Sequence, residues 1–235
     1  MSGSLPAGRV HGRRWWLAGA VAGASRWIAG PLRAASPAGA VTLRFTVFSP
    51  RPPQDAAFVA APGQPPTRLR FYPLARSPRY EYRGPAALRF IAPKDRAPLA
   101  EAEIPAGVAN ALIVLLPEEK AAGRWRAIVL DDGDPRFRAG QVMMVDLSGL
   151  ELEGTLNERP LKLGPGPNSA QPAPRTSQLV LRARSRGTTY QALSTDWNLA
   201  EGERALLLLL PPLRAGTFAV QHRLLIDRPA ARVSR

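Results

Sequence analysis

ALIVLLP, residues 111 to 117, is the stretch that decides how this chain folds. Six apolar residues run without interruption and stop at Pro117. Proline cuts the run too short for a helix, and no 3.6-residue stripe extends it. As a strand, a continuous apolar run is buried on both faces, so it belongs in the middle of a sheet covered by another layer. ALLLLLP, residues 205 to 211, repeats the pattern 94 residues later. Each run leads into a turn with a glycine (Gly123, Gly216) and an aromatic two residues on (Trp125, Phe218). Each then has a second apolar strand and an aspartate at its end (Asp131, Asp227). Ala106-Gly107 and Ala200-Glu201-Gly202 precede the two runs in similar fashion. The likeness predicts an internal duplication.

Elsewhere the chain reads as short strands broken by turns. Leu43–Phe48, Leu69–Tyr72, Leu88–Ile91, Gln141–Leu147, Gln178–Arg182, Thr188–Leu193 and Thr217–Ile226 are further strands, several alternating apolar with polar. The 25 prolines and 20 glycines are spread along the chain, which favours turns over long helices. The expected class is all-β, an antiparallel β-sandwich. Two similar immunoglobulin-like units of about 100 residues each are expected, with one larger sandwich from two duplicated halves as the alternative. The domain boundaries are 1–40 for a cleavable export signal, 41–134 for the first unit and 138–235 for the second. Asp131–Phe137 is the joint. Pro50–Pro66 and Pro160–Pro174 read as long loops.

The chain of 235 residues holds 32 Lys and Arg against 18 Asp and Glu, a formal charge of +14. No cysteine is present, which excludes disulfides, thiolate metal sites and a cysteine nucleophile. Residues 1–40 carry Arg9, Arg13, Arg14, Arg26 and Arg33 and no acid. Without them 27 basic residues face 18 acidic ones, a net +9. Only Lys94, Lys120 and Lys162 are lysines, so the basic balance reads as a compositional preference for arginine ahead of a binding surface.

The N-terminal stretch RRWWLAGAVAGA, residues 13 to 24, reads as an address. The uncharged run Trp15–Ser25 has 11 residues, whereas a spanning helix needs about 20. Arginines precede it, and Pro37-Ala38-Gly39-Ala40 follows as a small-x-small ending, with Ala38 and Ala40 at the cleavage site. The segment resembles a twin-arginine (Tat) export signal through Arg13, Arg14, Trp16 and Leu17. It departs from that pattern at Gly12 and lacks a lysine after Leu17. An ordinary Sec signal and an uncleaved signal stay open. The resemblance implies an exported protein of the periplasm or cell envelope. The remainder resembles uncharacterised exported bacterial β-sandwich proteins in composition and architecture.

Few residues beyond the signal carry chemistry. His222, the one histidine there, shares a strand face with Phe218, Val220 and Leu224 and reads as a core residue. Glu101/Glu103 and Glu151/Glu153 are paired carboxylates about 7 Å apart on strands, within the about 6.5–9.5 Å used by inverting glycosidases. Neighbours on one strand seldom flank a substrate, so a solvated strand face is the simpler reading. Asp131, Asp132 and Asp134 form an acidic turn without EF-hand spacing. Arg44, Arg70, Arg89, Arg126, Arg182 and Arg184 are either the outward residues of alternating strands or a cationic surface for an anionic ligand. Tyr80, Tyr82 and Trp197 are candidate sugar-stacking rings, although such rings more often pack inside. Nothing calls for a metal, a cofactor or a phosphate loop.

The expected function is a non-enzymatic binding or structural protein of the periplasm or envelope. Its partner would be an anionic envelope polymer or a protein, with no nucleic acid and no transmembrane span in the mature chain. A carbohydrate-active hydrolase using Glu101, Glu103, Asp131, Asp132 or Asp134 is one alternative. An accessory subunit of a secreted complex, with the leucine-rich hairpins partly exposed, is the other.

Overall fold

A computed structural model describes residues 40–61, 63–118 and 121–228. The Tat-like residues Arg13, Arg14, Trp16 and Leu17, and Ala38 of the cleavage site, lie outside the described residues. Ala40 is exposed just ahead of the first strand. The described residues contain strands and no helix. The first half holds β1 (Val41–Phe48), β2 (Ala57–Val59), β3 (Pro66–Arg68), β4 (Tyr80–Gly84), β5 (Ala87–Ile91), β6 (Pro98–Glu103), β7 (Asn110–Pro117) and β8 (Trp125–Asp131). The second holds β9 (Gln141–Asp146), β10 (Leu152–Leu156), β11 (Arg159–Leu163), β12 (Gly166–Pro167), β13 (Gln171–Pro172), β14 (Thr176–Ser185), β15 (Thr188–Asn198), β16 (Arg204–Leu210) and β17 (Gln221–Asp227). All belong to one compact unit, Ala38–Arg235.

The strands make four sheets. In the first half β4-β1-β7-β8 form one sheet and β3-β2-β5-β6 another. In the second half β12-β9-β16-β17, with β13 also on β9, form one sheet and β11-β10-β14-β15 another. The order is the same strand for strand once β12 and β13 together stand for β4. The hairpins β5–β6 and β14–β15 occupy the same place, and each carries a register shift. Most pairings are antiparallel, but β1 runs parallel to β7 and β9 parallel to β16. The sandwich expectation had no parallel pair. In each half the first strand enters mid-sheet, and the chain visits the second sheet before returning in the same direction. Parallel pairs are typical of strands covered on both faces.

Three apolar cores order the layers. Leu43, Phe45, Val47, Ile113 and Leu115 pack with Phe58, Leu88 and Phe90 between the two first-half sheets. Val142, Met144, Leu207 and Leu209 pack with Leu152, Leu179, Leu181 and Trp197 between the two second-half sheets. The third core holds Phe48, Leu112, Val114 and Leu116 against Val145, Leu206, Leu208, Leu210 and Leu225, joining the halves. The sheets of β7 and β16 are therefore inner layers, and those of β5 and β14 outer ones. This accounts for the two leucine-rich runs. Alternate residues of each enter the core of its own half or the shared core, so both faces are dry. The outer strand β14 instead alternates exposed and buried positions over most of its length.

Three local expectations are corrected. Leu69–Tyr72 is not a strand: the ladder of the three-residue β2 ends at Ala57 opposite Arg68. The Arg70 N–H then turns to the Tyr80 hydroxyl (2.8 Å). Thr217–Val220 lies outside the strand that begins at Gln221. The two proline-rich stretches read as loops carry β2, the start of β3, most of β11, and β12 and β13. Proline is tolerated there because Pro66, Pro160, Pro167 and Pro172 all lie in peripheral strands, where a missing N–H breaks no central ladder.

Candidate functional site

Five chain segments meet at one end of the inner sheets: the starts of β7 and β16, the closes of β8 and β17, and the crossing stretch 132–140. Arg204 opens β16 and is buried (5 % exposed). Its Nε donates to Asp227 Oδ1 (2.9 Å) and its Nη2 to Asp132 Oδ1 (2.9 Å). Its Nη1 donates to the Phe137 carbonyl (3.0 Å), and its guanidinium lies 4.4 Å from the Phe137 ring centre. Arg76, between β3 and β4, reaches the same carboxylates: Nη1 lies 2.8 Å from Asp132 Oδ2 and 3.3 Å from Asp227 Oδ2. Two arginines and two aspartates thus alternate in a closed lattice that binds the crossing stretch to both inner sheets. A buried charge needs such pairing, because desolvation would otherwise be prohibitive.

The hairpin registers explain this placement. Ala111 faces Asp131 across β7–β8, whereas Ala205 faces Ile226 and Arg204 faces Asp227 across β16–β17. With Ala111 and Ala205 as counterparts, Asp227 corresponds to Asp132 rather than Asp131. Asp132 N–H donates to the Asn110 carbonyl (3.0 Å), so Asn110 holds the place that Arg204 takes in the second half. The pairing of Asp131 with Asp227 read from sequence is out by one residue.

Above the lattice lies a groove of about 870 Å³. Arg44, Arg79, Arg138 and Arg228 line it and are exposed, and Asn110, Asp132, Asp134, Arg204 and Asp227 complete it. Arg44 has Glu81 at 3.4 Å, a loose pair exposed on both sides, and Arg228 has the half-buried Glu203 at 3.6 Å. Among the described residues, no carboxylate comes within ion-pairing distance of Arg79 or Arg138. Arg138 Nε donates to the Pro135 carbonyl (2.8 Å). Asp134 is gripped by Arg136 (Nη2 to Oδ2, 2.8 Å), whose hydrogen bonds hold its carboxyl below the usual carboxylate range.

The candidate acids do not form one centre. Asp132 and Asp134 line the groove, but the oxygens of Asp132 are held by Arg204 and Arg76, and Asp134 stays ionised beside Arg136. Asp131 is exposed and accepts the Gly133 N–H in a turn (2.9 Å). Glu101 and Glu103 sit apart, on the exposed face of β6; Glu101 faces Arg89 across the strand pair and binds it at 2.7 Å. Glu153 likewise binds Arg184 (2.8 Å). Among the described residues, no group of three or more acids and histidines is placed to hold a metal ion.

The six strand arginines are dispersed. Arg89 lies on one outer sheet, Arg182 and Arg184 on the other, Arg44 and Arg126 in an inner sheet, and Arg70 in a loop. Only Arg44 reaches the groove. The groove arginines Arg79, Arg138 and Arg228 escaped the sequence reading because they stand beside strands rather than in them. Tyr82 and Trp197 are buried, and Tyr80 packs on Phe45 and Phe58, so none of the three offers an open ring face. Among the described residues Tyr72 and Tyr190 are exposed rings, and Tyr190 stacks on Phe218 at 4.2 Å. His222 is half-buried beside Leu224 and Val220, and burial lowers its pKa. The leucine runs are buried on both faces and offer no open surface to a partner. Among the described residues no helix is long and apolar enough to cross a membrane. No protein-family model matches the chain, and no curated protein matches it.

Proposed function

We propose that this chain is an exported, non-enzymatic binding protein of the periplasm or cell envelope, and that its ligand is anionic. We read its halves as duplicated, immunoglobulin-like sandwich units, a reading supported by their shared strand order. One observation carries the functional proposal. The carboxylates that enter the groove are engaged by arginines, while four further arginines stand exposed around it. A general acid needs a raised pKa and a nucleophile needs a free oxygen. Asp134 has its pKa lowered, and the oxygens of Asp132 and Asp227 are held by Arg204 and Arg76. The groove supplies positive charge without a poised acid or base.

The test has two arms. The chain with its native signal is made with and without a functional twin-arginine translocase. The reading expects a product shortened after Ala40, in the periplasm, only when the translocase works. The purified protein is then incubated with a broad glycan panel. Turnover abolished by Asp132→Asn or Glu103→Gln would establish a hydrolase and overturn the non-enzymatic reading.

A further inference from the structure

We infer that the groove at the end of the inner sheets binds a linear acidic polysaccharide, its carboxylates meeting Arg44, Arg79, Arg138 and Arg228 in turn. This rests on the binding reading above and names the ligand class for that site. Three features select this ligand. The first is the spread of charge. The four guanidiniums come from β1, the stretch before β4, the crossing stretch and the residue after β17, around about 870 Å³. A single small anion occupies a fraction of that space and meets one or two of them. A chain with a charge on each sugar meets several. The planar guanidinium fork matches a carboxylate in bidentate fashion.

The second is the mixed lining. Asn110 and the ionised Asp134 stand among the arginines. They are acceptors for hydroxyl groups, which a uronate polymer carries and an inorganic polyphosphate lacks. Asp134 also repels a densely charged phosphate chain. The third is the lack of a stacking surface. Single-stranded nucleic acid is held by bases lying on aromatic faces. The one aromatic among the lining residues is Phe137, which is buried and lies 4.4 Å beneath Arg204. Elsewhere, Arg89 and Arg184 are already paired with Glu101 and Glu153 across their strands.

The experiment titrates oligogalacturonate into the whole protein by calorimetry at low salt. A neutral cello-oligosaccharide, a polyphosphate and an oligodeoxynucleotide are run alongside. Arg79→Glu with Arg138→Glu tests the groove, and Arg182→Glu with Arg184→Glu tests the outer sheet. Both pairs are exposed, so both variants are expected to fold, as circular dichroism will verify. The inference expects uronate binding that weakens with salt, at least roughly tenfold weaker in the groove variant and unchanged in the outer-sheet variant. Equal binding by the groove variant and the parent, with loss in the outer-sheet variant, overturns the site and leaves the binding reading standing. Polyphosphate or DNA binding as tightly as uronate overturns the ligand class. No uronate binding by the parent overturns the inference outright. Cleavage of the oligomer overturns the binding reading itself.

Discussion

Removing Arg204 is the sharpest test of the lattice. Arg204→Met keeps the stem volume and removes the guanidinium. Asp132 and Asp227 are then left with Arg76 alone, and the Phe137 carbonyl loses its donor. The Arg204 side chain is 6 % exposed, against 17 % and 26 % for those of Asp132 and Asp227, so water replaces these contacts only in part. Removing one partner of a buried ion pair costs about 3–5 kcal/mol. At about 2–4 °C per kcal/mol for a chain of this size, Tm falls by roughly 6–20 °C. Arg76→Met is the comparison. Arg76 is also largely buried, but its Nε and Nη2 have no hydrogen-bond partner. Its removal therefore relieves two orphan donors as well as breaking two contacts, and about 1.5–3 kcal/mol is expected. Urea unfolding of the purified protein followed by circular dichroism measures both. Arg204→Met within about 1 kcal/mol of the parent, the range of an exposed pair, refutes the lattice as a buried staple. So does a larger loss for Arg76→Met than for Arg204→Met.

Other substitutions test neighbouring conclusions. Gly154→Ala drives a Cβ into the Val180 carbonyl oxygen, so β10 and β14 must separate; a loss above about 3 kcal/mol in urea unfolding, or no folded protein, is expected. Leu208→Ala, in the shared core, should cost about 2–5 kcal/mol and lower the unfolding of both halves in a single calorimetric transition. Glu101→Gln removes an exposed cross-strand pair and should change stability by less than about 1 kcal/mol in the same assay. His222 titrates below its unfolded value of about 6.5, chiefly through burial and then through Arg223. The unfolded chain therefore binds the proton first, and stability falls as pH drops from that value towards the folded one. His222→Leu should flatten this slope, and an NMR titration of the imidazole should show the depressed midpoint.

Some of this was legible in the residues. The uninterrupted runs at 111–116 and 205–210 announced strands dry on both faces, and the alternation around Arg182 announced a strand wet on one face. Side-chain period and burial are local properties, so each could be read within one segment. The prolines misled because their tolerance depends on whether a strand is central or peripheral, which is a property of the whole sheet. Leu69–Tyr72 misled for the converse reason: its pattern fits a strand, but after the Leu69 N–H donates to the Ala56 carbonyl (2.7 Å) the chain turns to Tyr80.

The functional site was mostly illegible, and the reason is distance along the chain. Arg76, Asp132, Arg204 and Asp227 come from four separate segments and meet only when the two inner sheets pack. A turn such as Asp131–Asp134 reads the same whether its carboxylates face water or arginine, and only the fold supplies the partner. The strand arginines looked like one group because strands alternate, yet the layers send them to different surfaces. The residues alone showed which apolar runs are dry on both faces and which strands alternate, while β2, β11, β12 and β13 emerged only with the fold. The tertiary structure decided that the two leucine runs share a core, and that this junction gathers the charges, because burial and pairing are settled by what packs against a residue rather than by its neighbours in the chain.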